Sequence, residues 1–245
     1  MPTGWYRNDR STVVHIPTGR YPGRVSNERT RQVDAVVLDY GGVLTVSVRQ
    51  FIDDWLREER VDTERYADTM RGWLSHEAAV GNPVHLLETG ELTVAEFEAL
   101  LAAELRTLDG APVPAAGLLR RMFGRATPDP DMIELVRDAQ ALGLRTALLS
   151  NSWGEGYPEA LLAELFEVVV ISGRIGLRKP DPQIYQYLLD QLDMPADRCV
   201  FLDDSPANVT AAQDAGLHAF RHADAASSRA ALSALVPALA GTAHR

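Results

Sequence analysis

Apolar and polar positions follow two different periods along this chain. The run "AVVLD", Ala35 to Asp39, is apolar throughout before it ends in an aspartate. That pattern predicts a short strand buried on both faces of a sheet. From about Val48 to Met122 the period changes. "FIDDWLREE", "ERYADTMRGWLSHEAAV" and "TVAEFEALLAAEL" place apolar residues at i, i+3 and i+4, which predicts amphipathic helices. Breaks fall at "GNP", "TGEL" and "GAPVP". Thr93 with Glu96 three residues later predicts a capped helix start.

After Thr127 strand and helix patterns alternate. "DMIELVRDAQALG" predicts a helix ending at Gly143, and "RTALLS" a strand. "YPEALLAELF", "PQIYQYLLDQL" and "PANVTAAQDAG" predict helices, the last ending at Gly216, and "EVVVIS", "CVFLDD" and "HAF" predict strands. Such alternation with short links predicts a parallel sheet covered by helices on both sides. The strand ending at Asp39 needs the same sheet, so the block 48–122 reads as a helical insertion over an α/β core. Residues 1–32 differ from the rest: they are rich in Arg, Gly, Pro and Ser, with "VVHI" as their apolar run. They read as a flexible N-terminal extension, or alternatively as a basic arm that docks onto the body or an anionic partner.

Composition narrows the partners. The 245 residues carry a formal charge of −10, which argues against a sequence-independent grip on nucleic acid. The single cysteine, Cys199, excludes an intramolecular disulfide and reads as a small buried hydrophobe in "CVFLDD". No segment approaches the apolar length of a membrane span, and the start lacks a signal peptide's apolar region. The expectation is a cytoplasmic monomer or homodimer with neither nucleic-acid nor membrane partners.

Candidate chemistry lies at the strand ends. In open parallel sheets the carboxyl ends of the strands line the edge where ligands bind. Asp39, Ser150, Lys179, Asp203 and Asp204 would converge there, with Asn151 beside Ser150. Each alone has a plain explanation as a turn, a cap or a solvated charge; together and in this order they suggest phosphate chemistry. Carboxylates at Asp39 and Asp204 suit Mg²⁺, which prefers oxygen ligands. An aspartate can also attack phosphorus. Lys179 would neutralise charge on the transferring group, and Ser150 would donate a hydrogen bond to a phosphoryl oxygen.

From about Val33 to Ala223 the chain resembles the haloacid dehalogenase-like hydrolase superfamily, in the branch with a helical cap after the first strand. Four motifs match in order: "LDYGGVL", "LLSN", "RKPDPQIY" and "FLDDSPANVTAAQDAG". The resemblance implies an α/β fold, with a Rossmann-like parallel sheet at 33–47 and 123–245 and an inserted cap at 48–122. It implies Asp39 as nucleophile and Mg²⁺ ligand, the Gly41 carbonyl and Asp204 as further ligands, and Asp203 supporting them from beside. Ser150, Asn151 and Lys179 would bind the phosphate of a small phosphorylated substrate. The implied activity is that of a phosphatase working through an aspartyl-phosphate.

One position departs from the family pattern. Phosphatases of this superfamily usually carry a second Asp two residues after the nucleophile, and here that residue is Gly41. Gly41 and Gly42 suit a tight turn with unusual backbone angles. Two alternatives stay open: a catalytically weak phosphate-binding or regulatory protein, and a hydrolase of C–halogen or C–P bonds. Trp55, Arg71, Trp73, His76 and His85 are cap residues that could face a substrate. A replacement acid would come from a histidine, Asp53 or Asp54, and nothing in the spacing selects one.

Overall fold

A computed structural model describes residues 31–74, 81–154 and 156–241. Most of the N-terminal extension, and His76, lie outside the described residues. Strand β1, Ala35–Leu38, is followed by the loop 40–45 and five helices: α1 (Val48–Glu58), α2 (Thr63–Leu74), α3 (Pro83–Glu88), α4 (Val94–Glu104) and α5 (Leu118–Met122). Then come α6 (Pro130–Ala141), β2 (Arg145–Ser150), α7 (Glu159–Leu165), β3 (Val168–Ile171), α8 (Ser172–Ile175) and α9 (Pro182–Leu192). The core closes with β4 (Cys199–Asp203), α10 (Pro206–Asp214), β5 (His218–Arg221) and α11 (Ala225–Leu235).

The five strands form one sheet in the order β3-β2-β1-β4-β5, and every pairing is parallel. The central place of β1 explains its lack of polar residues. Val36 and Leu38 pack with Met132, Leu135 and Val136 of α6 and with Leu232 of α11. Ala35 and Val37 point to the opposite face, with Ile184, Leu188 and Leu192 of α9 and Ala212 of α10. Alternate side chains of one strand thus feed two helical layers, which removes the period-two polarity of a one-sided strand. Cys199 is buried in the second layer, and burial pushes its thiol up to about 11.

Helices α1 to α5 pack around a cluster of their own, with Phe51, Trp55, Leu87, Phe97, Leu101 and Leu118 among its buried members. The Thr93–Glu96 capping box is present at the start of α4. Glu98 accepts hydrogen bonds from the N–H groups of Gly117 and Leu119 and so caps the start of α5. Gly143 and Gly216 end α6 and α10 with φ of +75° and +90°, as their places after the last periodic residue predict. No helix among the described residues is long and apolar enough to cross a membrane.

Candidate active site

Register brings the polar strand ends together. Leu38 lies level with Leu148 of β2 and Leu202 of β4, so Asp39, the next residue, emerges between the ends of its two neighbours. Its N–H donates to the Leu202 carbonyl at 2.9 Å, which holds it in line with the sheet. Lys179 reaches in from the loop before α9. Its ammonium lies 2.8 Å from Asp39 Oδ1 and 2.7 Å from Asp203 Oδ2, and donates to the Leu149 carbonyl at 2.8 Å. At 1% exposure this lysine is an internal countercharge, whereas a lone lysine in sequence usually reads as solvated surface.

Asp203 is fully engaged. Oδ1 accepts from the Ser205 N–H at 2.8 Å, and Asn208 Nδ2 donates to both carboxylate oxygens at 3.1 and 3.0 Å. Asp204 is more open. Ligand oxygens of Asp39, Asp203 and Asp204 all lie within 4.8 Å of one another. Three carboxylates around one ammonium leave excess negative charge, and the local pKa values respond. Burial, with Asp203 adding to it, pushes Asp39 up to about 7 against the pull of Lys179. Burial and Asp203 also raise Asp204. Burial opposes the charge on Lys179, but Asp39 and Asp203 outweigh it and hold this group above its ordinary range. An all-oxygen set of this surplus charge fits a hard divalent cation such as Mg²⁺.

The loop after Asp39 is wound into one wide turn, with the Thr45 N–H donating to the Tyr40 carbonyl at 3.1 Å and the Gly42 N–H to Thr45 Oγ1 at 3.0 Å. Of the two glycines that suit a tight turn, only one adopts the unusual backbone. Gly42 does, with φ +75°, and a Cβ there would meet Asp204 Oδ2 at 2.8 Å. Gly41 does not: its φ of −72° and ψ of 118° suit any residue. A Cβ at Gly41 would make an ordinary contact with Val48 Cγ2 at 3.5 Å. Gly42 is thus fixed by the turn and by the carboxylate beside it, while Gly41 is free to carry a side chain.

Ser150 ends β2, and its Oγ lies 2.9 Å from Tyr157 Oη. The Tyr157 ring packs tilted at 55° against Tyr40 with ring centroids 4.8 Å apart, and burial pushes its phenol up to about 12. The side chain of Asn151 meets the backbone of Lys179 twice. Oδ1 accepts from the Lys179 N–H at 2.8 Å, and Nδ2 donates to the Lys179 carbonyl at 2.9 Å.

Sequence reasoning missed Tyr157. It follows Ser150 by seven residues and opens the run "YPEALLAELF", which reads as a helix and gives no sign of a return to Ser150. Among the proposed cap residues, Trp55 is buried in the insertion's own cluster and Trp73 packs edge-on to Phe97. Arg71 pairs with Asp68 on an exposed face. Asp53 and Asp54 pair with Arg49 and Arg57 along α1. His85 is half-buried, and burial together with Arg178 lowers its pKa.

Comparison with known proteins gives the family and the fold. A family model for haloacid dehalogenase-like hydrolases matches residues 33–216. The chain is 28% identical over 220 residues to acyl-CoA dehydrogenase family member 10 of Mus musculus, covering 86% of this chain and 20% of that protein. It is 29% identical over 200 residues to "Phosphatase MT3486" of Mycobacterium tuberculosis, covering 77% of this chain and 86% of the relative. The chain spans only 20% to 35% of the length of the mouse protein and of the pig bifunctional epoxide hydrolase 2 that it also matches. Among solved structures, a Bacteroides thetaiotaomicron family enzyme in complex with magnesium and inorganic phosphate superposes with a TM-score of 0.53 at 19% identity, over 78% of this chain and 94% of that one. With the parallel sheet, the ordered strand-end residues and a family match across most of its length, the chain belongs to the haloacid dehalogenase-like hydrolases.

Proposed function

We propose that the chain is a Mg²⁺-dependent phosphatase of a small phosphorylated metabolite. One observation carries this reading: Asp39, Asp203 and Asp204 gather at the carboxyl edge of the sheet around the buried ammonium of Lys179. The phosphatase name of the mycobacterial relative, and the magnesium and phosphate in the Bacteroides structure, support it. Asp39, Asp204 and the Gly41 carbonyl would hold the ion, with Asp203 supporting them. Bound there, Mg²⁺ supplies positive charge against the phosphoryl oxygens.

The protein's own residues do the rest. A carboxylate oxygen of Asp39 forms a bond to phosphorus while the phosphorus–oxygen bond to the leaving group breaks, giving an aspartyl-phosphate and an alkoxide that takes up a proton. Water then attacks phosphorus, which releases inorganic phosphate and restores the carboxylate. Lys179 offsets the charge spread over the equatorial oxygens. Ser150 Oγ, 2.9 Å from Tyr157 Oη and 3.4 Å from the Asn151 carbonyl, would turn its proton to a phosphoryl oxygen while accepting from Tyr157, and Asn151 fixes the backbone of Lys179. Helices α1 to α5 form the cap that selects the rest of the substrate.

Gly41 gives weight to a second reading, a protein that binds phosphate with little turnover. A panel of phosphorylated metabolites, assayed with and without Mg²⁺, separates the two. The phosphatase reading expects metal-dependent phosphate release from at least one compound and background rates for Asp39→Asn. Tight phosphate binding with no release from any compound supports the second reading.

A further inference from the structure

Glu88 closes α3 in the helical insertion, yet its side chain is buried against the core. Oε2 accepts from Arg178 Nε at 2.6 Å and from Asn151 Nδ2 at 3.3 Å, and Oε1 accepts from Trp153 Nε1 at 3.0 Å. Its backbone carbonyl accepts from Ser172 Oγ, which in turn accepts from the Ser152 N–H at 2.8 Å. Next to it, Gly90 lies so close to the core that a Cβ there would meet the Gly173 carbonyl oxygen at 2.5 Å. One carboxylate from the insertion therefore ties the loop after β2 to the residue that precedes Lys179.

A solvated charge at a helix end needs none of this. A buried carboxylate with three donors, one of them a guanidinium, is costly unless every partner is in place. Arg178 is adjacent in sequence to the lysine that enters the site, and Asn151 is the residue that clamps the Lys179 backbone from both sides. Both of these neighbours of Lys179 converge on Glu88 Oε2. Trp153 extends the junction into the insertion's aromatic cluster, with ring centroids 5.6 Å from Phe97 and 5.8 Å from Phe123.

We propose that Glu88 is a positioning residue of the active site: through Asn151 and Arg178 it sets the loop that aims Lys179 at Asp39, and it couples the docking of the helical insertion to that aim. The proposal rests on the reading of Lys179 as part of the phosphate site. Glu88 touches neither substrate nor reacting atoms in this account. Loss of its charge leaves Arg178 without its countercharge and weakens the clamp on Lys179, while the sheet and the three aspartates stay in place.

The test compares wild type with Glu88→Gln, and with Arg178→Gln as a second variant that reaches the same junction from the core side. Hydrogen exchange at the Lys179 amide reports the clamp without any need for turnover. Exchange about tenfold faster in both variants, with β4 amides unchanged, is expected for a local opening of the loop. Kinetics with acetyl phosphate and Mg²⁺ supply the second readout. The expected result is kcat lower by about ten- to a hundredfold at a temperature where both proteins are folded, with KM within about threefold, because a misaimed group costs the transition state more than binding. Unchanged Lys179 exchange, or folded variants with wild-type kcat, overturns the proposal. Should wild type release no phosphate from any compound, the phosphatase reading fails, and the exchange measurement alone decides the role of Glu88.

Discussion

Lys179 Nζ lies 2.8 Å from Asp39 Oδ1, and both side chains are buried at the end of the central strand. The ammonium is shared with Asp203 at 2.7 Å, so its removal leaves two carboxylates facing each other without a countercharge. Lys179→Met is expected to cost about 3–5 kcal/mol at about pH 8 in EDTA, the usual penalty for breaking a buried ion pair. At about pH 5 the cost shrinks, because Asp39 is then largely neutral. Urea denaturation at the two pH values measures it. An equally small loss at both contradicts the internal-countercharge role.

Metal binding and pH are linked through the same carboxylate. Burial raises the folded-state pKa of Asp39 from 3.8 to about 7. Between those values the folded protein holds a proton that the unfolded chain has released, so this group's contribution to stability falls as pH rises. A divalent cation binds the ionised form and offsets that loss. The rise in thermal midpoint on adding Mg²⁺ is therefore expected to be larger at about pH 8 than at about pH 5, where the cation competes with the proton. Differential scanning fluorimetry across this range is the check, and a shift that shrinks as pH rises contradicts the assignment.

The two glycines that follow Asp39 and Tyr40 should answer mutation in opposite ways. Gly42→Ala places a Cβ 2.8 Å from Asp204 Oδ2 at a positive φ, so it is expected to destabilise the loop by about 1 kcal/mol or more and to weaken Mg²⁺ binding. The Cβ of Gly41→Asp makes an ordinary contact with a valine methyl at 3.5 Å in ordinary backbone, and the variant is expected to fold. If the missing carboxylate is the handicap, the new Asp raises rates most for poor leaving groups, within the roughly 10²–10⁴-fold range of general acid catalysis. Rates plotted against leaving-group pKa for wild type and Gly41→Asp measure this. A flat wild-type plot means that another residue already supplies the proton.

Tyr157→Phe keeps the ring packed against Tyr40 but removes the hydroxyl that meets Ser150 Oγ at 2.9 Å. If Ser150 binds the phosphate as proposed, one lost hydrogen bond to it is expected to weaken phosphate inhibition by about five- to thirtyfold while leaving Mg²⁺ affinity unchanged. Inhibition constants for inorganic phosphate provide the readout. Equal inhibition of both proteins shows that Tyr157 serves packing alone.

The sheet was legible because its strands are buried on two faces. Continuous runs such as "AVVLD" and "CVFLDD" arise from that burial, and residues at parallel-strand ends must share an edge whatever the loops do. Asp39, Ser150, Asp203 and Asp204 follow from this rule. The partners that tune them do not, because no period governs the loops. Tyr157 reaches Ser150 from the loop before α7, and Glu88 reads as one more charge at a helix end until the insertion docks. The backbone of Gly41 was equally hidden: a Gly-Gly pair gives no sign of which member needs the positive φ.

The proposed aspartyl-phosphate mechanism puts the phosphoryl group on Asp39. Its most direct test is acid quenching of wild-type protein during turnover of acetyl phosphate with Mg²⁺, followed by mass spectrometry of the peptide that contains Asp39. The expected result is a phosphoryl group on Asp39 that disappears once substrate is exhausted, is absent in EDTA and does not form in Asp39→Asn. Steady phosphate release by a protein whose Asp39 peptide stays unmodified, or by Asp39→Asn at near the wild-type rate, would contradict it.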